Sequence, residues 1–197
     1  MKTGSLQLRK GDVLLIVDVQ NDFLPGGALP VPDGAAVIPV LDGYGEKFDH
    51  YGLPVLASRD WHPPDHCSFR EQGGPWPPHC VAGTHGAELA ATLALPRHSE
   101  IISKGEVRDR DAYSALQGTG LAHRLRSQHR KRLFIGGLAT DYCVRATALD
   151  ALAEGFEVVL LEDAIRAVEV QAGDGARAIA EVVARGGRLA RLADVTV

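Results

Sequence analysis

Apolar positions along the chain fall into two alternating kinds of segment. Short, mostly apolar runs occupy 12–19 (DVLLIVDV, rich in β-branched residues), 54–58 (PVLAS), 100–103 (EIIS), 132–138 (RLFIGGL), 157–161 (EVVLL) and 188–192. Each is too short for a stable helix and reads as a buried strand. Between them, residues 37–50, 121–128, 141–154 and 173–185 carry apolar side chains at helical spacing. Strand and helix alternate from end to end, which predicts an α/β fold: a mostly parallel sheet with helices on both faces. There is no internal repeat, linker or low-complexity stretch, so residues 1–197 read as one domain. Residues 59–86 break the pattern. They are dense in Pro, Gly, His and Trp and have no period. An irregular stretch of that length inside a compact domain is usually functional.

Composition narrows the classes. Hydrophobic residues make up 45% of the chain, enough for one core, and the net charge is −4. That charge offers no basic face for nucleic acid. No apolar run approaches the ~20 residues of a membrane helix, and the first ten residues lack the apolar core of a secretory signal. The expected location is cytoplasmic. Three cysteines, Cys67, Cys80 and Cys143, make a disulfide framework a poor reading and leave reactive, metal-bound or inert buried thiols.

Open α/β sheets place their sites beyond the carboxyl ends of the strands. At those ends stand Asp18, then Asp60 and His62, then Lys104, then 139–143. The helix read from 141 puts Cys143 in its first turn, where free N–H groups and the helix dipole favour thiolate and can hold an oxyanion. Asp18 is a candidate acceptor for the thiol proton, and Lys104 a candidate partner for Asp18. Taken singly, Cys143 reads equally well as a packed helix cysteine, Asp18 as a cap and Lys104 as a solvated loop lysine. Asp60 and His62 alternate, so in an extended segment they point the same way. His79 follows in PWPPH, stiffened by proline. One carboxylate with two imidazoles suits a first-row transition metal and leaves open positions. His66, Cys67, Cys80 and His85 lie nearby and read better as surrounding or surface residues. A metal-free surface histidine cluster is the bland alternative for this loop.

Several stretches together resemble one family: VDVQNDFLPGGAL from Val17, SRDWHPPDHCSF from Ser58, PWPPHC from Pro75, ISKG from Ile102, DAYSAL from Asp111 and GGLATDYCV from Gly136. They are similar to the isochorismatase-like cysteine hydrolases, and within them to the nicotinamidase/pyrazinamidase branch. The resemblance implies a three-layer α/β/α sandwich around a six-stranded parallel sheet. It implies Asp18, Lys104 and Cys143 as a catalytic triad, and Asp60, His62 and His79 as ligands of one divalent metal, zinc first, with iron or manganese as alternatives. It implies an oxyanion hole at the N–H groups of Ala139 and Cys143, pocket aromatics at Phe23 and Trp76, and a cis peptide between Leu138 and Ala139. The implied partner is a small aromatic amide, and the family contains both monomers and larger homo-oligomers. Two other readings stay open: a relative that cleaves another small amide without a metal, and a non-catalytic protein whose zinc holds the fold together.

Overall fold

The computed structural model describes residues 5–197. In chain order its main elements are β1 (Leu6–Gln7), β2 (Asp12–Val17), α1 (Ile38–His50), β3 (Val55–Asp60), β4 (Glu100–Lys104), α2 (Leu121–Ser127), β5 (Arg132–Leu138), α3 (Arg145–Ala153), β6 (Glu157–Arg166), α4 (Asp174–Ala184), β7 (Arg188–Ala190) and β8 (Val195–Thr196). Six strands form one sheet in the order β4-β3-β2-β5-β6-β7, and every neighbouring pair is parallel.

That order decides where everything else packs. From β2 the chain moves outward to β3 and β4. It then crosses back to β5 and moves the other way through β6 and β7. Right-handed crossovers put connections of opposite travel on opposite faces. Accordingly α1 and the long 61–99 segment cover one face, and α2, α3 and α4 cover the other. The side chains of β2 alternate between the two cores. Leu14 and Ile16 join Leu41, Tyr44, Phe48 and Phe134 on the α1 side. Val13, Leu15 and Val17 join Leu121, Leu125, Ala148 and Val182 on the other. The result is the three-layer α/β/α sandwich. Sheet order reverses between β2 and β5, so the crevice beyond their carboxyl ends is where such a sheet binds ligands.

Element boundaries differ from the sequence reading in instructive places. The first strand stops at Val17, not at 19, because Asp18 turns into the left-handed region at φ 49°. The second expected strand, β3, runs on to Asp60 and the third, β4, to Lys104, so both charged side chains belong to strand ends. The segment expected as one helix over 141–154 is two elements: a π-helical turn, Thr140–Val144, and then α3. β6 continues to Arg166, past the expected 161, through a register shift opposite Ile135 and Gly137. The small parallel pair of β1 and β8 was not expected.

Candidate active site

The strand ends flanking the switch point bring four of the predicted polar residues, Asp18, Asp60, Lys104 and Cys143, into one buried cluster. Asp18, at the end of β2, is completely buried. Its Oδ1 accepts a hydrogen bond of 2.6 Å from Ser58 Oγ. Its Oδ2 lies 2.9 Å from Lys104 Nζ but off the hydrogen-bonding direction, so this oxygen is buried with no hydrogen bond of its own. Lys104 Nζ donates to Asp60 Oδ1 at 2.5 Å, to the Ala112 carbonyl at 3.1 Å and to Cys143 Sγ at 3.5 Å. The ligand-type atoms of Asp18, Asp60 and Cys143 all lie within 4.8 Å of one another.

One cation between two carboxylates drives their proton affinities apart. Burial raises Asp18 and outweighs the pull of Lys104. Burial would also raise Asp60, but there Lys104 and His62 win and hold it well below the usual carboxylate range. Burial pushes Lys104 down, but the two carboxylates together hold it well above its ordinary value. Burial, reinforced by the carboxylates, raises the Cys143 thiol against the pull of Lys104. The fold therefore pushes the Cys143 thiol and the Asp18 carboxyl upward together, against the thiolate-favouring effect that a helix N-terminus suggests. The reason is local: Cys143 sits buried in the π turn, close to Asp18 and Asp60.

Asp60, His62 and His79 form a second buried group whose ligand atoms also lie within 4.8 Å of one another. His62 Nδ1 donates to the Gly105 carbonyl at 2.9 Å, and His79 Nδ1 to the Pro77 carbonyl at 2.8 Å. Each bond leaves the other ring nitrogen bare, the tautomer a metal ligand needs. Burial pushes both imidazoles down. In His62 the Asp60 carboxylate outweighs it and the net shift is upward, so positive charge is drawn to that corner. One carboxylate and two oriented imidazoles suit a divalent transition ion. Gly105 has φ +67°, and a Cβ there would meet the His62 ring at 2.4 Å.

The remaining candidates fall outside this group. His66 stacks on His62 with centroids 4.1 Å apart, and both its nitrogens are engaged, Nδ1 with Ser68 Oγ at 2.7 Å and Nε2 with the Arg110 carbonyl at 3.1 Å. Cys80 is buried with its N–H donated to Asp22 Oδ2 at 2.7 Å. Cys67 is half-buried. His85 is exposed, beside Glu88.

Cys143 opens into a mainly apolar cavity. Phe23, Leu29, Val31, Trp76, Tyr113 and Tyr142 line it, and Asp60, His79, Ala139 and Val168 complete it. Trp76 Nε1 donates to Tyr113 Oη at 3.0 Å, and its ring meets Tyr142 edge-on at 5.0 Å. Burial pushes Tyr113 up to about 12, so its hydroxyl stays protonated. The peptide between Leu138 and Ala139 is cis. Among the described residues nothing accepts the Ala139 N–H, which leaves it free for an incoming oxygen.

A family model described as the Isochorismatase domain matches residues 12–194. The chain belongs to the isochorismatase family. Among isochorismatase-family relatives, the nicotinamidase of Escherichia coli (strain K12) is 40% identical over 202 residues, covering 92% of this chain and 95% of its own. The crystal structure of the pyrazinamidase of Pyrococcus horikoshii in complex with zinc matches with a TM-score of 0.88 at 50% identity, covering 92% of this chain and 99% of that one. PnC1 from L. infantum, in complex with nicotinate, matches with a TM-score of 0.91 at 40% identity over 98% of each chain.

Several residues of this isochorismatase-family site escaped the sequence reading. Ser58 closes a buried strand with a hydroxyl, a faint signal that it has a partner. Gln20 brackets Asp60, accepting its N–H at 2.7 Å and donating to its carbonyl at 2.8 Å. Its only signal is its place just past the first strand. Tyr113, Tyr142 and Gly105 lie within the stretches that carry the family resemblance, but their individual roles depend on neighbours distant in the chain. No described helix is long and apolar enough to cross a membrane.

Proposed function

We propose that the protein is a metal-dependent nicotinamidase that converts nicotinamide, and pyrazinamide, to the free acid and ammonia through a thioester on Cys143. The observation that carries the reading is the buried, unbonded Asp18 Oδ2 beside Cys143 and Lys104. A buried carboxylate oxygen without a donor is costly unless it has a proton to take. The relatives act on, or are solved with, compounds of this class.

Asp18 removes the thiol proton, and Cys143 Sγ attacks the amide carbon. The carbonyl oxygen gains negative charge and is held by the N–H groups of Ala139 and Cys143. Asp18 returns the proton to the amide nitrogen, the C–N bond breaks and ammonia leaves. Water gives a proton to Asp18 as it adds to the thioester. The C–S bond breaks, the acid departs and Cys143 recovers its proton from Asp18. Lys104 stabilises whichever of Asp18 and Cys143 is ionised at each stage. Phe23 and Trp76, both lining the cavity, hold the ring. A divalent ion, zinc first, would be held by Asp60, His62 and His79, and would supply Lewis-acid chemistry at that end of the cavity. Ring recovery of this kind belongs to salvage of pyridine nucleotides.

The test is ammonia release from nicotinamide before chelation, after chelation and after metal add-back, with Cys143→Ala alongside. Metal-dependent release that vanishes in Cys143→Ala, with the thermal transition retained, is expected. Release by Cys143→Ala would refute the thioester route. No release from nicotinamide under any metal condition would move the substrate to another small amide.

A further inference from the structure

We infer that Asp141 is a positioning residue that fixes Val168 as the outer wall of the substrate cavity, a role that rests on the proposed nicotinamidase reading for its substrate. Asp141 lies two residues before Cys143, yet its carboxylate points away from the nucleophile. Oδ1 accepts the N–H of Val168 and Oδ2 the N–H of Glu169, each at 2.9 Å. These bonds tie the π turn that carries Cys143 to the segment after β6, and that segment sends Val168 into the cavity beside Cys143 and Tyr142.

A second carboxylate extends the tie. Glu169 stands in the left-handed region at φ 57°. Its own side chain accepts the N–H groups of Gly173 at 2.5 Å and Gly175 at 2.9 Å, at the entry of α4. Gly175 is needed there, because a Cβ would sit 2.7 Å from Ala167 and 2.8 Å from Glu169 Oε1. The wall is thus suspended between two carboxylates, one on the nucleophile's turn and one on itself. Charge-assisted bonds of this kind are short, directional and stronger than neutral ones. An apolar residue on a segment outside the sheet is held in place by such bonds, since loop segments otherwise sample several conformations.

The consequence is a division of labour. Asp141 touches neither Cys143 nor the proton path, so loosening it should weaken ring binding more than it slows chemistry. In Asp141→Asn the amide oxygen keeps one of the two bonds and the amide nitrogen cannot accept the other.

The test measures Asp141→Asn and Asp141→Ala in the metal-loaded full chain by two independent readouts. The first is amide hydrogen exchange at Val168 and Glu169. It should accelerate at least about tenfold in Asp141→Ala, and less in Asp141→Asn, with the amides of β2 and β5 unchanged. The second is nicotinamide kinetics and nicotinate binding. KM and the nicotinate Kd should rise about tenfold in Asp141→Ala, with kcat within about threefold. Faster exchange with unchanged KM and Kd would overturn the role of the wall in binding. A fall in kcat matching the loss in kcat/KM would overturn the division and put Asp141 on the nucleophile's geometry. Unchanged exchange would overturn the tie itself. A wild-type chain that neither turns over nicotinamide nor binds nicotinate would sink the proposed substrate, while the exchange data would still judge the tie.

Discussion

Two buried ion clusters sit at opposite ends of the same sheet, and they are built on opposite rules. At the amino ends of β2 and β5, Arg132 grips Asp12 with two bonds, Nε to Oδ1 at 2.9 Å and Nη2 to Oδ2 at 2.6 Å. The Arg9 N–H adds a third bond to Asp12, and Arg132 also donates to the Gln7 carbonyl. Every oxygen of that carboxylate is served. At the carboxyl ends of the same region, one lysine is shared by two carboxylates, and Asp18 Oδ2 has an ion-pair neighbour but no aligned hydrogen bond. A fully satisfied buried pair holds a fold in register, whereas a partly satisfied one is costly and persists where chemistry uses it. The contrast separates a staple from a working site without appeal to any motif.

Asp18→Asn probes the contrast hardest. Loss of the general base should lower kcat by about 10²–10⁴-fold. Stability should move the other way. The fold raises Asp18 above its unfolded value, so its contribution is present below the ordinary carboxylate range and is lost as pH rises through the raised value. Asparagine is neutral at every pH and escapes that loss. Thermal unfolding of the metal-free protein at neutral pH should therefore give a Tm equal to or above wild type. A clearly lower Tm would make Asp18 a structural residue like Asp12.

Arg132→Ala should do the reverse. It leaves Asp12 buried without its bidentate partner, a change that typically costs about 3–5 kcal/mol. For a chain of this size that lowers Tm by about 10 °C. Ammonia release per folded molecule should stay at the wild-type level. A drop in kcat at equal folded fraction would join the two ends of the sheet and dissolve the distinction.

Gly105→Ala sharpens the comparison inside the site. Its Cβ would press on the His62 ring, and the backbone there is left-handed. Disturbing the orientation of a ligand costs about 10–100-fold in metal affinity. Zinc affinity by chelator competition should fall by that factor. Unchanged affinity would remove His62 from the ligand set.

Much of this was legible before the fold. The strand over Arg132–Leu138 coincides with the expected run, because a continuous apolar stretch between polar boundaries allows little else. The candidates Asp18, Asp60, Lys104 and Cys143 stood out because each follows an apolar strand, where a charge or thiol needs a reason. β6 was read five residues short because Glu162 and Asp163 interrupt its apolar run. In the fold Asp163 accepts from Tyr44 Oη at 3.1 Å and from the Leu192 N–H at 2.9 Å, so the polar residue costs little. β1 and β8 pair only two residues each from opposite ends of the chain, and no local period marks them.

Alternating strands and helices, the strand-end residues and the proline-stiffened histidine loop are properties of neighbouring residues, so the chain by itself determined the α/β class and the cast of candidate groups. Protonation and role depend on distances across the fold. Only the tertiary structure decided that Lys104 is shared, that Asp18 is raised while Asp60 is lowered, and that burial pushes the Cys143 thiol up. It also turned Asp141 away from the nucleophile beside it, toward a wall of the cavity. Each outcome depends on burial and on partners dozens of residues away, and a local pattern in the sequence carries neither.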